Sequence, residues 1–201
     1  MNRTITLAGG CFWGMEELYR RLPGVAAVTP GYANGDSPAH ADYQTVCTGE
    51  TGFREAVQVV YDPALCPLER LLFTFFAVVD LTTPNKQGPD VGTQYQSGVY
   101  WSDPADEALV RRIAALEAAS VPVFAVELKP LDCFYPAEDY HQRYVQKNPG
   151  GYCHISVWHR LVLPDYPFRT EDYTRPAAQL LADWAEKNET ASGHALGNSG
   201  C

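Results

Sequence analysis

Four short strand-like runs in the first hundred residues, interrupted by two stretches of helical periodicity, restrict the architectures open to this chain. Residues 4–8, 25–32, 55–62 and 97–101 have the length and apolar content of strands. Between the first two, Trp13 to Leu22 reads as a helix stopped by Pro23-Gly24. Between the third and fourth, a helix is expected from Pro67 to about Val79, with Leu68, Leu71, Leu72, Phe75 and Phe76 on one stripe. The order is β-α-β-β-α-β. It predicts an α+β, ferredoxin-like core, a two-layer sandwich of mainly antiparallel sheet with helices on one face.

Beyond this core, a strand is expected at 123–129, where Val123, Ala125 and Glu127 alternate with Phe124, Val126 and Leu128. Helices are expected after Asp103-Pro104, over Ala137 to about Lys147, and from Pro176. Residues 191–201 read as a mobile tail, because they are small and polar. No internal repeat or linker divides the chain into two domains.

The element order has a consequence for chemistry. If the first strand runs upward toward Cys11, the second also runs upward and the third and fourth run downward. The starts of those two strands then share an edge with Cys11. Three segments converge there: the loop with Tyr43, the strand start with Glu55, and the turn-rich loop from Asn85 to Tyr95 with Asp90. Taken singly, each has an ordinary explanation, such as a solvated carboxylate or one of twelve tyrosines. Together they place a carboxyl and two phenols around a cysteine.

That cysteine lies in Gly9-Gly10-Cys11-Phe12-Trp13-Gly14, between a strand and a helix. A helix N-terminus favours thiolate over thiol, relative to a free cysteine pKa of about 8.5. Cys11 is therefore expected to be an activated nucleophile beside two aromatic rings. The six cysteines, at 11, 47, 66, 133, 153 and 201, show no C-x-x-C spacing, which argues against a structural zinc site and a thioredoxin-type motif. No metal and no cofactor is called for.

Composition excludes other classes. Fifteen basic against 24 acidic residues give a formal charge of −9 without a basic cluster, which argues against nucleic acid as a partner. The longest apolar stretch, Leu71 to Val79, is far short of the roughly 20 residues of a membrane span. With no signal-peptide pattern, the expected location is the cytoplasm, where the cysteines would be reduced and a disulfide would be transient and catalytic.

Three motifs in order, Gly10-Cys11-Phe12-Trp13-Gly14, Gly92-Thr93-Gln94-Tyr95 and Asn148-Pro149-Gly150-Gly151-Tyr152-Cys153, together resemble the A-type peptide methionine sulfoxide reductases over roughly residues 3 to 160. The resemblance implies reduction of the S epimer of methionine sulfoxide, in proteins or free, with thioredoxin as the electron donor. A reductase domain at 1–163 would be followed by a C-terminal extension at 164–201. Cys11 would attack the sulfoxide sulfur, Glu55 would protonate its oxygen, and Tyr43 and Tyr95 would donate hydrogen bonds to it. Phe12 and Trp13 would enclose the methyl group, and Asp90 resembles the family's active-site aspartate. Cys11 would be left as a sulfenic acid. Cys153 occupies the family's resolving position, and its glycine-rich loop could swing to form a Cys11–Cys153 disulfide.

Many relatives carry a third redox cysteine where this chain has Leu161, so a two-cysteine relay is expected, with Cys201 a candidate additional resolving thiol. Cys47, Cys66 and Cys133 read as bystanders. Relatives often have His-Ala before the acid, where this chain has Phe53-Arg54, and the change reads as tuning of the pocket rim. Two alternatives compete: a cysteine hydrolase pairing Cys11 with His141 or His154 and Asn148, and a non-enzymatic thiol redox sensor.

Overall fold

A computed structural model describes residues 1–195, with side chains through Asn188. The chain forms β1 (Arg3–Ala8), α1 (Phe12–Tyr19), β2 (Val25–Ala33), α2 (Tyr43–Val46), β3 (Arg54–Tyr61), α3 (Leu68–Phe76), β4 (Lys86–Gln87), β5 (Asp90–Val91) and β6 (Gly98–Trp101). It continues through α4 (Glu107–Ala118), β7 (Glu127–Pro130), β8 (Phe134–Pro136), α5 (Tyr144–Lys147), α6 (Val157–Asp165) and α7 (Ala177–Ala195). Six strands make one sheet in the order β7-β6-β1-β3-β2-β8, and β4 pairs with β5 in a separate hairpin. Among the described residues only the β6–β7 pair is parallel, so the fold is mixed α+β with a mainly antiparallel sheet.

Side chains alternate across a strand, so register decides which residues meet the helices. Leu7 lies opposite Val57 on one side and Val99 on the other, and all three are fully buried in the main core with Phe12, Met15, Leu71 and Phe75. Ala8, Ala33, Ala56 and Tyr100 form a small second cluster on the opposite face. Glu55 is two residues from Val57 and one from Ala56, which assigns it to the helix-covered face. It pairs with Tyr32 across the β2–β3 ladder.

Residues 163–177 are fastened to this body. Phe73 of α3 stacks on Tyr166 with ring centroids 4.7 Å apart and meets Tyr173 edge-on at 5.5 Å. Arg70 is buried and donates to the carbonyls of Leu163, Pro164 and Tyr166, which leave α6 without intrahelical partners. Glu117, also buried, accepts from Tyr173 Oη at 2.7 Å and from the Ala177 N–H at 2.8 Å, so it caps the start of α7.

Several expectations need correction. Residues 123–126 form no strand, because the Ala125 N–H bonds Leu81 and its carbonyl accepts from Gln96, and only Glu127–Pro130 joins the sheet. The helix expected over 137–147 shrinks to α5, because Pro136 ends edge strand β8 and Arg143 takes a left-handed conformation at φ +55°. Pro67 caps α3 from outside rather than occupying its first turn. Helix α6 was not expected. Helix α7 runs to Ala195, into the segment read as a tail, and Cys201 lies outside the described residues. Among the described residues, no helix is long and apolar enough to cross a membrane.

Candidate active site

The carboxyl end of β1, the starts of β3 and β6 and the loop before β6 meet at one edge, and a cavity of about 240 Å³ opens there. It is lined by Cys11, Phe12, Trp13, Tyr43, Glu55, Asp90, Tyr95 and Tyr152. The first seven are the residues singled out in the sequence, and Tyr152 is an addition. The volume suits one side chain.

Two glycines let Cys11 sit where it does. Gly10 has φ +79°, and a Cβ there would lie 2.6 Å from Gln87 Cβ. Gly14 faces the segment after α5, where a Cβ would come within 3.1 Å of both Cys153 Sγ and His154 Nδ1. Cys153 is thus already packed against the first turn of α1. His154 Nε2 lies 2.8 Å from the Gly9 carbonyl, which ties the Cys153 loop to the nucleophile's own turn.

Cys11 is the N-cap of α1, as expected, yet its surroundings oppose the thiolate. Burial pushes its pKa far up and the neighbouring Glu55 adds to the rise, and the Trp13 N–H only partly opposes them. Cys11 is 6% exposed. Desolvation of a thiolate outweighs the end of a two-turn helix. The expectation of a lowered pKa therefore fails.

Glu55 is 1% exposed and its carboxyl is pushed up to about 8, chiefly by burial, against the pull of a 3.1 Å hydrogen bond donated by the Phe12 N–H. Asp90 raises it further. At neutral pH the group holds its proton. Burial also raises the Tyr43 and Tyr95 hydroxyls, which remain donors. Tyr152 donates to Asp90 Oδ2 at 2.7 Å and bridges the Asp90 hairpin to the Cys153 loop. Buried Gln87 holds that hairpin, accepting from the Asp80 N–H at 3.0 Å.

Trp13 is fixed on two sides. Its ring stacks on Tyr144 at 3.6 Å and 11°, and its Nε1–H donates to His141 Nδ1 at 3.0 Å. That bond requires an unprotonated Nδ1, consistent with burial lowering the His141 pKa. Glu138 accepts from the Tyr43 N–H at 2.8 Å and from the Tyr32 hydroxyl at 2.7 Å. Tyr144, Glu138 and Tyr152 escaped the sequence reading. Tyr152 could have been found, since it adjoins Cys153, but nothing local marks the other two.

Neither Phe53 nor Arg54, read as tuning the rim, lines the pocket. Phe53 is buried among Tyr32 and Tyr135, and Arg54 pairs with Glu127 at 3.0 Å. Cys66 and Cys133 lie away from the pocket, whereas Cys47, expected to be a bystander, lies beside Tyr43. Neither candidate histidine of a hydrolase pairs with Cys11: His141 faces Trp13 and His154 faces Gly9. Among the described residues no cluster of His, Cys, Asp or Glu forms a metal site.

Comparison with known proteins agrees with this geometry. The family model "Peptide methionine sulfoxide reductase" matches residues 3–162. A peptide methionine sulfoxide reductase MsrA of Clostridium botulinum is 45% identical over 159 residues, covering 77% of this chain and 99% of that protein. Among solved structures, reduced Mxr1 of Saccharomyces cerevisiae aligns with a TM-score of 0.73 at 41% identity, covering 77% of this chain and 91% of that one. Mxr1 in complex with Trx2 aligns with a TM-score of 0.52 at 29% identity, covering 71% and 84%. The chain belongs to the peptide methionine sulfoxide reductase family.

Proposed function

We propose that this protein reduces methionine S-sulfoxide, protein-bound or free, to methionine, and that thioredoxin restores the enzyme. The observation that carries the reading is a buried, protonated Glu55 and a cysteine lining one small cavity with two phenols and two aromatic rings. A sulfoxide offers an electrophilic sulfur, a basic oxygen and a methyl group, and each finds a partner in this set.

In the proposed sequence, Phe12 and Trp13 enclose the methyl group while Tyr43 and Tyr95 donate to the oxygen. Glu55 passes its proton to that oxygen as Cys11 attacks the sulfur. A carboxylate and a thiolate are not both welcome in a desolvated pocket. Glu55, left as a carboxylate by that transfer, takes up the proton that Cys11 Sγ sheds on bonding the sulfur, so carboxylate and thiolate are not charged together. The sulfur–oxygen bond and the new bond from Cys11 then break as the hydroxyl passes to Cys11 Sγ, so the sulfoxide sulfur is reduced by two electrons and leaves as methionine while Cys11, oxidised by two, becomes a sulfenic acid. Cys153 then attacks Cys11 Sγ, expels water and forms the Cys11–Cys153 disulfide. Thioredoxin returns two electrons. The family match and the relative captured with Trx2 support this route.

The same reading assigns 1–163 to the catalytic domain and 164–201 to a C-terminal extension, with the cytoplasm as the working compartment. It also describes the core as ferredoxin-like, supported by the β6-β1-β3-β2 order of the four central strands. Cys201 is retained as a candidate additional thiol.

Single-turnover chemistry tests the scheme. Fully reduced parent protein mixed with methionine sulfoxide and no reductant should release methionine and lose the Cys11 and Cys153 thiols together. Cys153→Ser should still release about one methionine per chain and stop at the sulfenic acid. If Cys153→Ser sustains turnover on thioredoxin, another thiol is the resolving one.

A further inference from the structure

Helix α6 stands directly after the Cys153 loop and holds three large apolar side chains in solvent. Val157 is 61% exposed, Trp158 44% and Leu161 57%. Helical spacing gathers the three within about 100° of arc, opposite the fully buried Leu163. The mechanism above uses none of them. Residues 141–164 also carry Arg143, Lys147 and Arg160 and no carboxylate, in a chain of formal charge −9, and the first acid, Asp165, comes at the far end of α6.

We propose that this face of α6 is the docking surface for the thioredoxin reductant. The proposal rests on the reductase function above and adds where the reductant binds. Disulfide chemistry fixes the place. An attacking thiolate must reach bonding distance of a disulfide sulfur, so the surface beside the accessible sulfur is covered in every productive encounter. Cys11 is nearly sealed, whereas Cys153 is half-buried and four residues from the start of α6.

Attack on Cys153 Sγ breaks the Cys11–Cys153 bond and forms a mixed disulfide, and Cys11 leaves as a thiolate that takes a proton. The partner's second thiol then attacks the mixed disulfide and frees Cys153. Two electrons have passed, and the partner departs oxidised. Val157, Trp158 and Leu161 supply apolar contact during these steps, and beside Cys153 the positive charge of Arg160 acts more strongly than the facing carboxylate of Glu17, which favours approach of a negatively charged partner surface.

The test is the combined variant Val157→Ser, Trp158→Ser, Leu161→Ser, all at exposed positions. Its kcat/KM for thioredoxin should fall about ten-fold or more, while methionine formed in a single turnover and turnover on dithiothreitol stay within about two-fold of the parent. A kcat/KM for thioredoxin also within two-fold overturns the proposal. The parent's kcat/KM should fall as ionic strength rises, and a salt-independent value refutes the charged part of the surface. A parent dimer that the variant abolishes in sedimentation reassigns the face to self-association. A parent that forms no methionine in a single turnover sinks the reductase function itself, a failure distinct from loss of the reductant.

Discussion

Glu55→Gln keeps the shape of the side chain and an oxygen for the Phe12 N–H, and it removes only the titrating proton. The folded protein holds that proton to about pH 8, whereas a free side chain releases it near 4.5. Between those values the folded state binds more protons than the unfolded chain, so stability falls by about 1.4 kcal/mol for each pH unit gained. The span from 4.5 to about 8 amounts to about 5 kcal/mol when fully developed, of which about 3 kcal/mol is already lost at pH 7. Glutamine suffers no such loss. The stability advantage of Glu55→Gln over the parent should therefore widen by about 3.5 kcal/mol between pH 5 and pH 8, read as urea midpoints by tryptophan fluorescence. Over the same range the variant should form methionine about 10²- to 10⁴-fold more slowly in a single turnover, the usual effect of losing a general acid. Stability curves that run parallel with pH would mean that Glu55 ionises as in water, and the proton-donor argument would collapse.

Two further outcomes follow from contacts outside the pocket. His154→Ala removes the bond to the Gly9 carbonyl, a contact of about 0.5–1.5 kcal/mol. It should slow disulfide formation about two- to ten-fold in rapid-quench thiol counts while leaving methionine release unchanged; an unaltered thiol-loss rate refutes the tether. Arg70→Met leaves the carbonyls of Leu163, Pro164 and Tyr166 without their donor and should lower stability by about 1–3 kcal/mol. An unchanged urea midpoint would show that residues 163–166 are not fastened there.

The central core was readable because its signals are local. Strand lengths, the Pro23-Gly24 stop and the α3 stripe fix the element order, and the antiparallel directions then bring Glu55, Asp90 and Tyr95 to the edge of Cys11. What failed depends on distant neighbours. The alternation at 123–126 was real, but Leu81 and Gln96 take those backbone groups before a strand can. The pattern over 137–147 is broken by one left-handed residue, Arg143, whose N–H is held by Glu16 at 2.8 Å. The dipole at Cys11 was legible from position, whereas burial, which dominates its ionisation, belongs only to the folded molecule. Tyr144 and His141 reach Trp13 across more than 120 positions, a distance that no window along the sequence spans.

The pairing of Glu55 with Tyr32 makes the position of the acid all-or-none. A loop-borne acid could drift by fractions of an ångström and lose efficiency gradually. An acid on a central strand can be displaced only by whole residues, and a slip of one would send Glu55 to the face of Ala56 and Tyr100 and turn Arg54 or Ala56 inward. The same slip would tear Val57 and Val59 from the core, so a molecule lacking its acid would also lack its fold. Selection for stability in β3 is thereby selection for a correctly placed proton.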